Sequence, residues 1–295
     1  MKKRLLFIYN PHAGKEKIRS NLLDIIDIMS RAGFEITVHP TMKRGDARVA
    51  VREMPEGFDL IICCGGDGTL SETVSGMMKA GIHLPLGYIP AGSTNDFASS
   101  LGIPSRMIEA AEAIVKGHLF SCDIGMFNSR YFVYVAAFGL FTEVSYDTDQ
   151  ELKNRLGHTA YILEAARRLG EVRDIHMEVT YDGGSIEDNF MFGMITNSKS
   201  VGGIKGITGS QVDLSDGKFE VLLIRTMRTA MEFQEVLKAF FAGKGDEKNV
   251  YTFKTSRIRI RSEEEVAWTL DGEYGGTVRN ADIVNQKSAV EMMVP

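Results

Sequence analysis

Two patterns in the sequence predict an α/β chain, with a doubly wound, Rossmann-like parallel sheet first and a mostly antiparallel part after it. Up to residue 116, short apolar runs alternate with amphipathic segments, the order of a parallel sheet covered by helices on both faces. From about residue 120, strand-like runs follow one another with few helices between them. A third observation locates an anion site in the first part: Gly65-Gly66-Asp67-Gly68-Thr69 lies between an apolar run and a helical pattern.

The first strand is Leu5 to Tyr9, broken by Asn10-Pro11-His12-Ala13-Gly14-Lys15. A helix follows, with Leu22, Leu23, Ile25, Ile26 and Met29 as its apolar side, ending near Gly33. Glu35 to His39 reads as a strand ending at Thr41, and Gly45-Asp46-Ala47 opens a helix to Met54. Leu60-Ile61-Ile62-Cys63-Cys64 is apolar throughout, as a strand buried on both faces should be. After the glycines, Thr69 to Glu72 has capping-box spacing, and Leu70, Val74, Met77 and Met78 recur at helical period. Leu86 to Ile89 gives a fourth strand before Pro90-Ala91-Gly92-Ser93-Thr94-Asn95-Asp96-Phe97, and a helix spans 107–116. In the second part, strands are expected at 131–138, 175–181, 189–196, 218–225, 256–261 and 265–270, with helices at 148–170 and 229–242 and a hairpin turn at Asp182-Gly183-Gly184. The predicted domains are 1–125 with the tail 286–295 joining it, and 126–285.

Glycines at 65, 66 and 68 let successive N–H groups point at one oxyanion beside the positive end of a helix dipole. Asp67 in their midst would repel phosphate unless a cation or a transferred proton lies between them, which points to nucleotide with Mg²⁺. A dinucleotide loop would need glycine at Ser71, and no Gly-Lys-Ser/Thr opens the helix as a Walker A loop would. Three loops at strand ends carry polar, glycine-bearing stretches, and in a parallel sheet these ends share one ligand-binding edge.

The 34 basic and 39 acidic residues leave a net charge of −5, which argues against nucleic acid as a partner. Cys63, Cys64 and Cys122 lack metal-ligand spacing and read as reduced core residues of a cytoplasmic protein. The six histidines form no zinc motif, and no apolar run reaches the ~20 residues of a membrane span.

Taken together these stretches resemble the diacylglycerol kinase catalytic family, in particular its bacterial lipid kinases without membrane spans. The Gly65 to Thr69 core alone is shared with NAD kinases and is similar to a phosphofructokinase loop. Asn10-Pro11-His12-Ala13-Gly14-Lys15 is similar to the family's Asn-Pro-x-Ser-Gly-Lys, with Ala13 in place of Ser. Gly92-Ser93-Thr94-Asn95-Asp96-Phe97 is similar to its Gly-Thr-x-Asn-Asp-Phe, with Ser93 in place of Thr. The resemblance implies a C-terminal β-sandwich of the NAD kinase/diacylglycerol kinase kind and ATP-dependent phosphorylation of a lipid hydroxyl, most readily that of diacylglycerol. Nucleotide contacts would come from Asn10, Pro11, His12, Ala13, Gly14, Thr41, Gly65, Gly66, Asp67, Gly68, Thr69, Leu70, Glu72, Ser93, Asn95 and Asp96, with Asp67 and Asp96 organising Mg²⁺.

Leu270-Asp271-Gly272-Glu273 reads by spacing as a hairpin turn, and by resemblance as the family's Asp-Gly-Glu motif, in which Glu273 is the general base. Asp213-Leu214-Ser215-Asp216-Gly217-Lys218 is similar to a magnesium loop. The resemblance implies a side-chain ligand from Asp216 and further ligands at Asp213 and Lys218, although Ser210 and Val212 stand where the family has Pro and Ala. Arg257, Arg259 and Arg261 share one strand face, either solvated or drawn to anionic headgroups at ~1 kcal/mol each. The Val201 to Gly206 loop is open to the same two readings. The expected partner is a lipid at the membrane surface, met from the cytoplasm in transient peripheral contact. The sequence leaves room for a homodimer. The rival readings are a kinase of a soluble metabolite and a non-catalytic nucleotide-binding regulator.

Overall fold

The computed structural model of the chain describes residues 2–16, 18–54, 56–139, 174–205, 211–227, 229, 231, 232, 236 and 248–295. The helix expected at 148–170 lies outside them, as does all of 229–242 but residues 229, 231, 232 and 236.

The first part alternates as expected: β1 (Lys3–Tyr9), α1 (Ile18–Arg31), β2 (Phe34–Pro40), α2 (Asp46–Arg52), β3 (Leu60–Gly65), α3 (Asp67–Ala80), β4 (Leu86–Pro90), α4 (Asp96–Ser100) and α5 (Met107–Lys116). Strands β4, β3, β1 and β2 pair in parallel in that order. All six residues of β3 are buried, as its unbroken apolar run requires. On α1 the buried stripe is Ile18, Ile25 and Met29, while Leu23, expected on the apolar side, is 79% exposed. Leu23 lies two positions from Ile25, about 200° around the helix, and so faces away from the sheet.

The second part comprises β5 (His118–Phe127), β6 (Arg130–Phe132), β7 (Val135–Gly139), β8 (Ile175–Tyr181), β9 (Gly184–Thr196), β10 (Ser200–Val201), β11 (Ile204–Lys205), β12 (Phe219–Arg225), β13 (Val250–Thr255), β14 (Arg257–Leu270) and β15 (Glu273–Val294). Its strands pair antiparallel. Both β14 and β9 pair with β7 at one end and β8 at the other, so the sheet folds over itself as a sandwich. Trp268, 1% exposed, fills that core, with Phe127 and Phe138 at ring-centroid distances of 5.0 and 4.9 Å. A second cluster, from Leu5 through Tyr88 to Val290, packs the first sheet and reaches Val133 to Val135.

Strand β15 is the spine between the parts. It leaves β14 through a two-residue turn, pairs antiparallel with β5, and ends beside β4, where Met292 pairs in parallel with Leu86. The expected strand 131–138 is two strands, broken where Val133 to Val135 turn their amides toward Asp271. The runs 256–261 and 265–270 are one strand with a register shift between Arg261 and Val266. Arg257 and Arg259 lie on the exposed face, where both approach Asp282. The three cysteines are free and buried.

Candidate active site

The glycine loop joins β3 to α3 as the sequence indicates, but the helix starts two residues before the expected capping box. Gly66 is the N-cap, its carbonyl accepting the amides of Thr69 and Leu70 at 3.0 and 3.1 Å. Thr69 is therefore inside the first turn, and Glu72 reaches sideways, accepting the Gly45 amide at 2.6 Å and tying α3 to the start of α2. Among the described residues no protein acceptor takes the amides of Asp67 or Gly68. These are the donors that a helix N-terminus offers to an anion.

The neighbouring loops close on this turn. A Cβ on Gly14 (φ +57) would lie 2.2 Å from the Ala91 carbonyl oxygen, and one on Gly92 would lie 2.7 Å from the Gly66 Cα. Glycine at these two positions lets the 10–14, 65–68 and 91–95 loops touch through their backbones. The Asn10 amide donates to the Cys64 carbonyl and its side chain accepts the His12 amide, both at 2.9 Å. Thr41 donates its amide to Tyr9. Pro11, Ala13 and Ser93 belong to the same loop edge, Ser93 exposed and Ala13 buried. Asn95 accepts the Gly92 amide and donates to the Gly92 carbonyl, both at 2.9 Å, and its Oδ1 also accepts the Tyr88 hydroxyl at 3.4 Å. Leu70 is fully buried in the core, so its side chain faces away from the loop edge. These contacts of Asn95 and Glu72 and the burial of Leu70 shape the loop edge.

Asp67 stands at the centre of the loop edge. Its Oδ2 accepts the Asp96 amide at 3.3 Å, and its Oδ1 is buried without a partner among the described residues. Burial first, then the charge of Asp96, pushes the Asp67 carboxyl up to about 6, against the lowering effect of the Asp96 and Phe97 amides. Asp96, expected to help organise Mg²⁺, is turned away. Its Oδ1 accepts the Ser200 hydroxyl at 2.6 Å and the Gly203 amide at 3.0 Å, and its Oδ2 accepts the Gly202 amide at 2.8 Å.

Glu273 comes from the other part of the chain. Asp271 (φ +51) and Gly272 (φ +80) form the two-residue turn between β14 and β15, and Glu273 opens β15. Asp271 is 4% exposed and accepts the amides of Val133, Tyr134 and Val135 at 2.8, 2.9 and 3.2 Å. Burial raises its carboxyl above the usual range while these amides and the Ser71 hydroxyl oppose the rise. From this anchor Glu273 extends over α3: a Cβ on Gly68 would lie 3.9 Å from its Oε1, and its Oε2 pairs with Arg44. The turn is thus both a hairpin and the mount of an acid over the glycine loop.

A cavity of about 430 Å³ opens beside Glu273, lined among others by Gly68, Arg44, Arg48, Lys79, Arg130 and Tyr131. Glu273 pairs with Arg44 and Glu72 also lines the cavity, so Arg48, Lys79 and Arg130 leave it a positive excess that favours an anion. The sequence hides them, because they sit on α2, the turn before it, α3 and β6, with no shared motif.

The 213–218 loop is elsewhere. Asp213 Oδ1 accepts the Ser215 amide and hydroxyl at 3.0 and 2.9 Å. Asp216 accepts the Lys218 amide at 2.8 Å and the Lys254 ammonium at 3.1 Å. This loop borders a cavity of about 610 Å³ that shares no lining residue with the one at Glu273. One carboxylate with nearby carbonyls is the donor type that Mg²⁺ takes, and Lys254 is the cation with which it would share Asp216. The described residues hold no cluster of three or more His, Cys, Asp or Glu suited to a metal.

An amide-lined helix N-terminus at a parallel-sheet edge, beneath a carboxylate from an antiparallel unit, is the arrangement that phosphoryl transfer needs in an α/β-plus-sandwich protein. Residues 4–127 match the diacylglycerol kinase catalytic domain, and residues 135–290 match the YegS C-terminal NAD kinase beta sandwich-like domain. The diacylglycerol kinase of Bacillus subtilis (strain 168) is 35% identical over 297 residues, covering 99% of this chain and 97% of its own. That of Staphylococcus carnosus (strain TM300) is 33% identical over 300 residues, covering 100% and 96%. A crystal structure of a candidate diacylglycerol kinase from Bacillus anthracis str. Sterne superposes with a TM-score of 0.86 at 30% identity, over 100% of this chain and 96% of that one. The chain belongs to the diacylglycerol kinase family, and it is a lipid kinase with ATP as phosphate donor. No helix among the described residues is long and apolar enough to cross a membrane.

Proposed function

We propose that the acceptor is diacylglycerol and the product phosphatidic acid, formed in the cleft between Gly65–Thr69 and Glu273. The family match supports the acceptor, and the observation that carries the site is Asp67: a buried carboxylate oxygen without a partner among the described residues, beside open amides and under an acid from the other part of the chain. Asn10, Pro11, His12, Ala13, Gly14, Thr41 and Ser93 line the nucleotide, and the amides at Gly66, Asp67 and Gly68 hold its phosphates. The lipid hydroxyl oxygen attacks the γ-phosphorus, the bond to the β,γ-bridging oxygen breaks, and ADP leaves. The hydroxyl proton goes to Glu273, whose Oε1 faces Gly68 while Arg44 holds Oε2. Arg48, Lys79 and Arg130 draw in phosphate charge, and positioning with charge neutralisation does most of the catalytic work.

Mg²⁺ bound with ATP supplies neutralisation of the phosphate oxygens, and the orphan oxygen of Asp67 suits a cation or one of its waters. A second Mg²⁺ would be held by the 213–218 loop, with Asp216 as carboxylate ligand and carbonyls at 213 and 218. The protein meets the lipid at the membrane surface from the water side. A second reading gives the proton to Asp67 instead of Glu273, and its Oδ1, without a partner among the described residues, favours it.

Transfer of labelled γ-phosphate to diacylglycerol, a sphingoid base, a polyprenol and NAD tests the assignment. Diacylglycerol should be labelled fastest, and preferential labelling of any of the others would overturn it.

A further inference from the structure

The polar cluster at the junction of α4 with the β10–β11 hairpin is not used by the chemistry above, yet it is buried and fully bonded. Asp96, Ser100, Ser198 and Ser200 are 2, 5, 0 and 3% exposed. The Ser100 hydroxyl donates to the Asp96 carbonyl at 3.0 Å, lies 2.8 Å from the Ser198 hydroxyl, and accepts the Lys199 amide at 3.0 Å. Ser198 donates to the Ser200 carbonyl at 2.6 Å. Gly202 and Gly203, at φ +61 and +80, aim successive amides at the Asp96 carboxylate, which also takes the Ser200 hydroxyl. The glycine-rich stretch, open by sequence to a lipid-facing reading, is thus a nest for an internal anion.

We propose that Asp96 is a positioning residue: by clasping the hairpin with its carboxylate it fixes its own backbone amide on Asp67 Oδ2, so that Oδ1 alone is presented to the reaction. One residue then ties two contacts together. The side chain binds the sandwich part, and the main chain orients the acid of the glycine loop. A carboxylate is needed because three donors converge on it, and an amide side chain would turn an N–H toward one of them. Loosening this clasp moves Asp67 without removing any group that touches nucleotide or lipid, and sub-ångström to 1 Å errors of placement cost up to ~100-fold in rate.

The inference rests on Asp67 taking part in phosphoryl transfer, so Asp67→Asn is assayed alongside. Ser200→Ala, Ser200→Thr and Asp96→Asn are compared with the unaltered full-length chain on diacylglycerol in mixed micelles, with KM for ATP and hydrogen exchange of segment 198–203. Ser200→Ala should lower kcat roughly 3- to 30-fold with KM for ATP within about twofold, and Ser200→Thr, which keeps the hydroxyl, should restore kcat. Asp96→Asn should lower kcat further and speed exchange of the hairpin amides. Unchanged kcat in Ser200→Ala, failure of Ser200→Thr to rescue, or a rise in KM for ATP with kcat kept would overturn the clasp. Full turnover in Asp67→Asn would instead remove the catalytic reading beneath it.

Discussion

Asp271→Ala probes the mount on which Glu273 stands. Asp271 takes three amides, from Val133, Tyr134 and Val135, and all three residues are buried. Truncation leaves three donors without acceptors, each costing ~1–3 kcal/mol, partly offset because a buried carboxylate no longer has to be desolvated. The net loss should be ~3–5 kcal/mol, a large part of the ~5–15 kcal/mol that holds a domain folded. Asp271→Asn should cost only ~1–3 kcal/mol, because its oxygen can stay on Tyr134 and Val135 and asparagine tolerates the positive φ. Urea unfolding followed by the fluorescence of Trp268, the only tryptophan, and by circular dichroism measures both. An alanine variant within ~1 kcal/mol of the parent, or an asparagine variant below the alanine one, would refute the anchoring role.

Gly14→Ala should weaken ATP binding, since its Cβ would lie 2.2 Å from the Ala91 carbonyl oxygen at a positive φ; calorimetry that finds unaltered ATP affinity would count against loop closure at this point. If Mg²⁺ binds Asp216, the thermal midpoint should rise with Mg²⁺ in the absence of nucleotide, and Asp216→Ala should abolish the rise. An identical Mg²⁺ response in the variant would mean that Lys254 alone satisfies Asp216. Burial lifts the Glu220 carboxyl from 4.5 to about 7 despite Lys254 at 3.0 Å. The folded state then binds more protons than the unfolded one between those values, so stability should fall as pH rises through that window and level off above it. Glu220→Gln should remove that slope, which integrates to at most about 3–4 kcal/mol over the window, and urea midpoints that keep it would assign the slope to another group.

Most of the architecture was legible because period and breakers agree with burial: the apolar run 60–64, the helix 107–116 and the Asp182-Gly183 turn stand where they were expected. Strand β13 was missed although Tyr251 and Phe253 alternate with Thr252 and Lys254, because it is a short, half-exposed edge strand that pairs, among the described residues, with β12 alone. The break between β6 and β7 has no local signal, because its cause, Asp271, lies more than 130 residues away. The site divides in the same way. Glycines and acids at strand ends announced Asp67 and, through resemblance, Glu273, whereas the uses of Glu72, Asn95 and Asp96 depend on which neighbour each side chain meets. Spacing alone suggested a capping box at Thr69 to Glu72, and the tertiary partner Gly45 claimed Glu72 instead.

The most direct measurement is kcat of Glu273→Gln on diacylglycerol in mixed micelles, with ATP affinity measured separately by calorimetry. Glutamine keeps the shape and a hydrogen-bonding oxygen but cannot accept the hydroxyl proton. With Glu273 as base, kcat should fall ~10²- to 10⁴-fold with ATP affinity nearly unchanged. Full lipid phosphorylation by the variant would contradict that role and pass it to Asp67, and loss of ATP binding in a folded variant would move Glu273 into the nucleotide site.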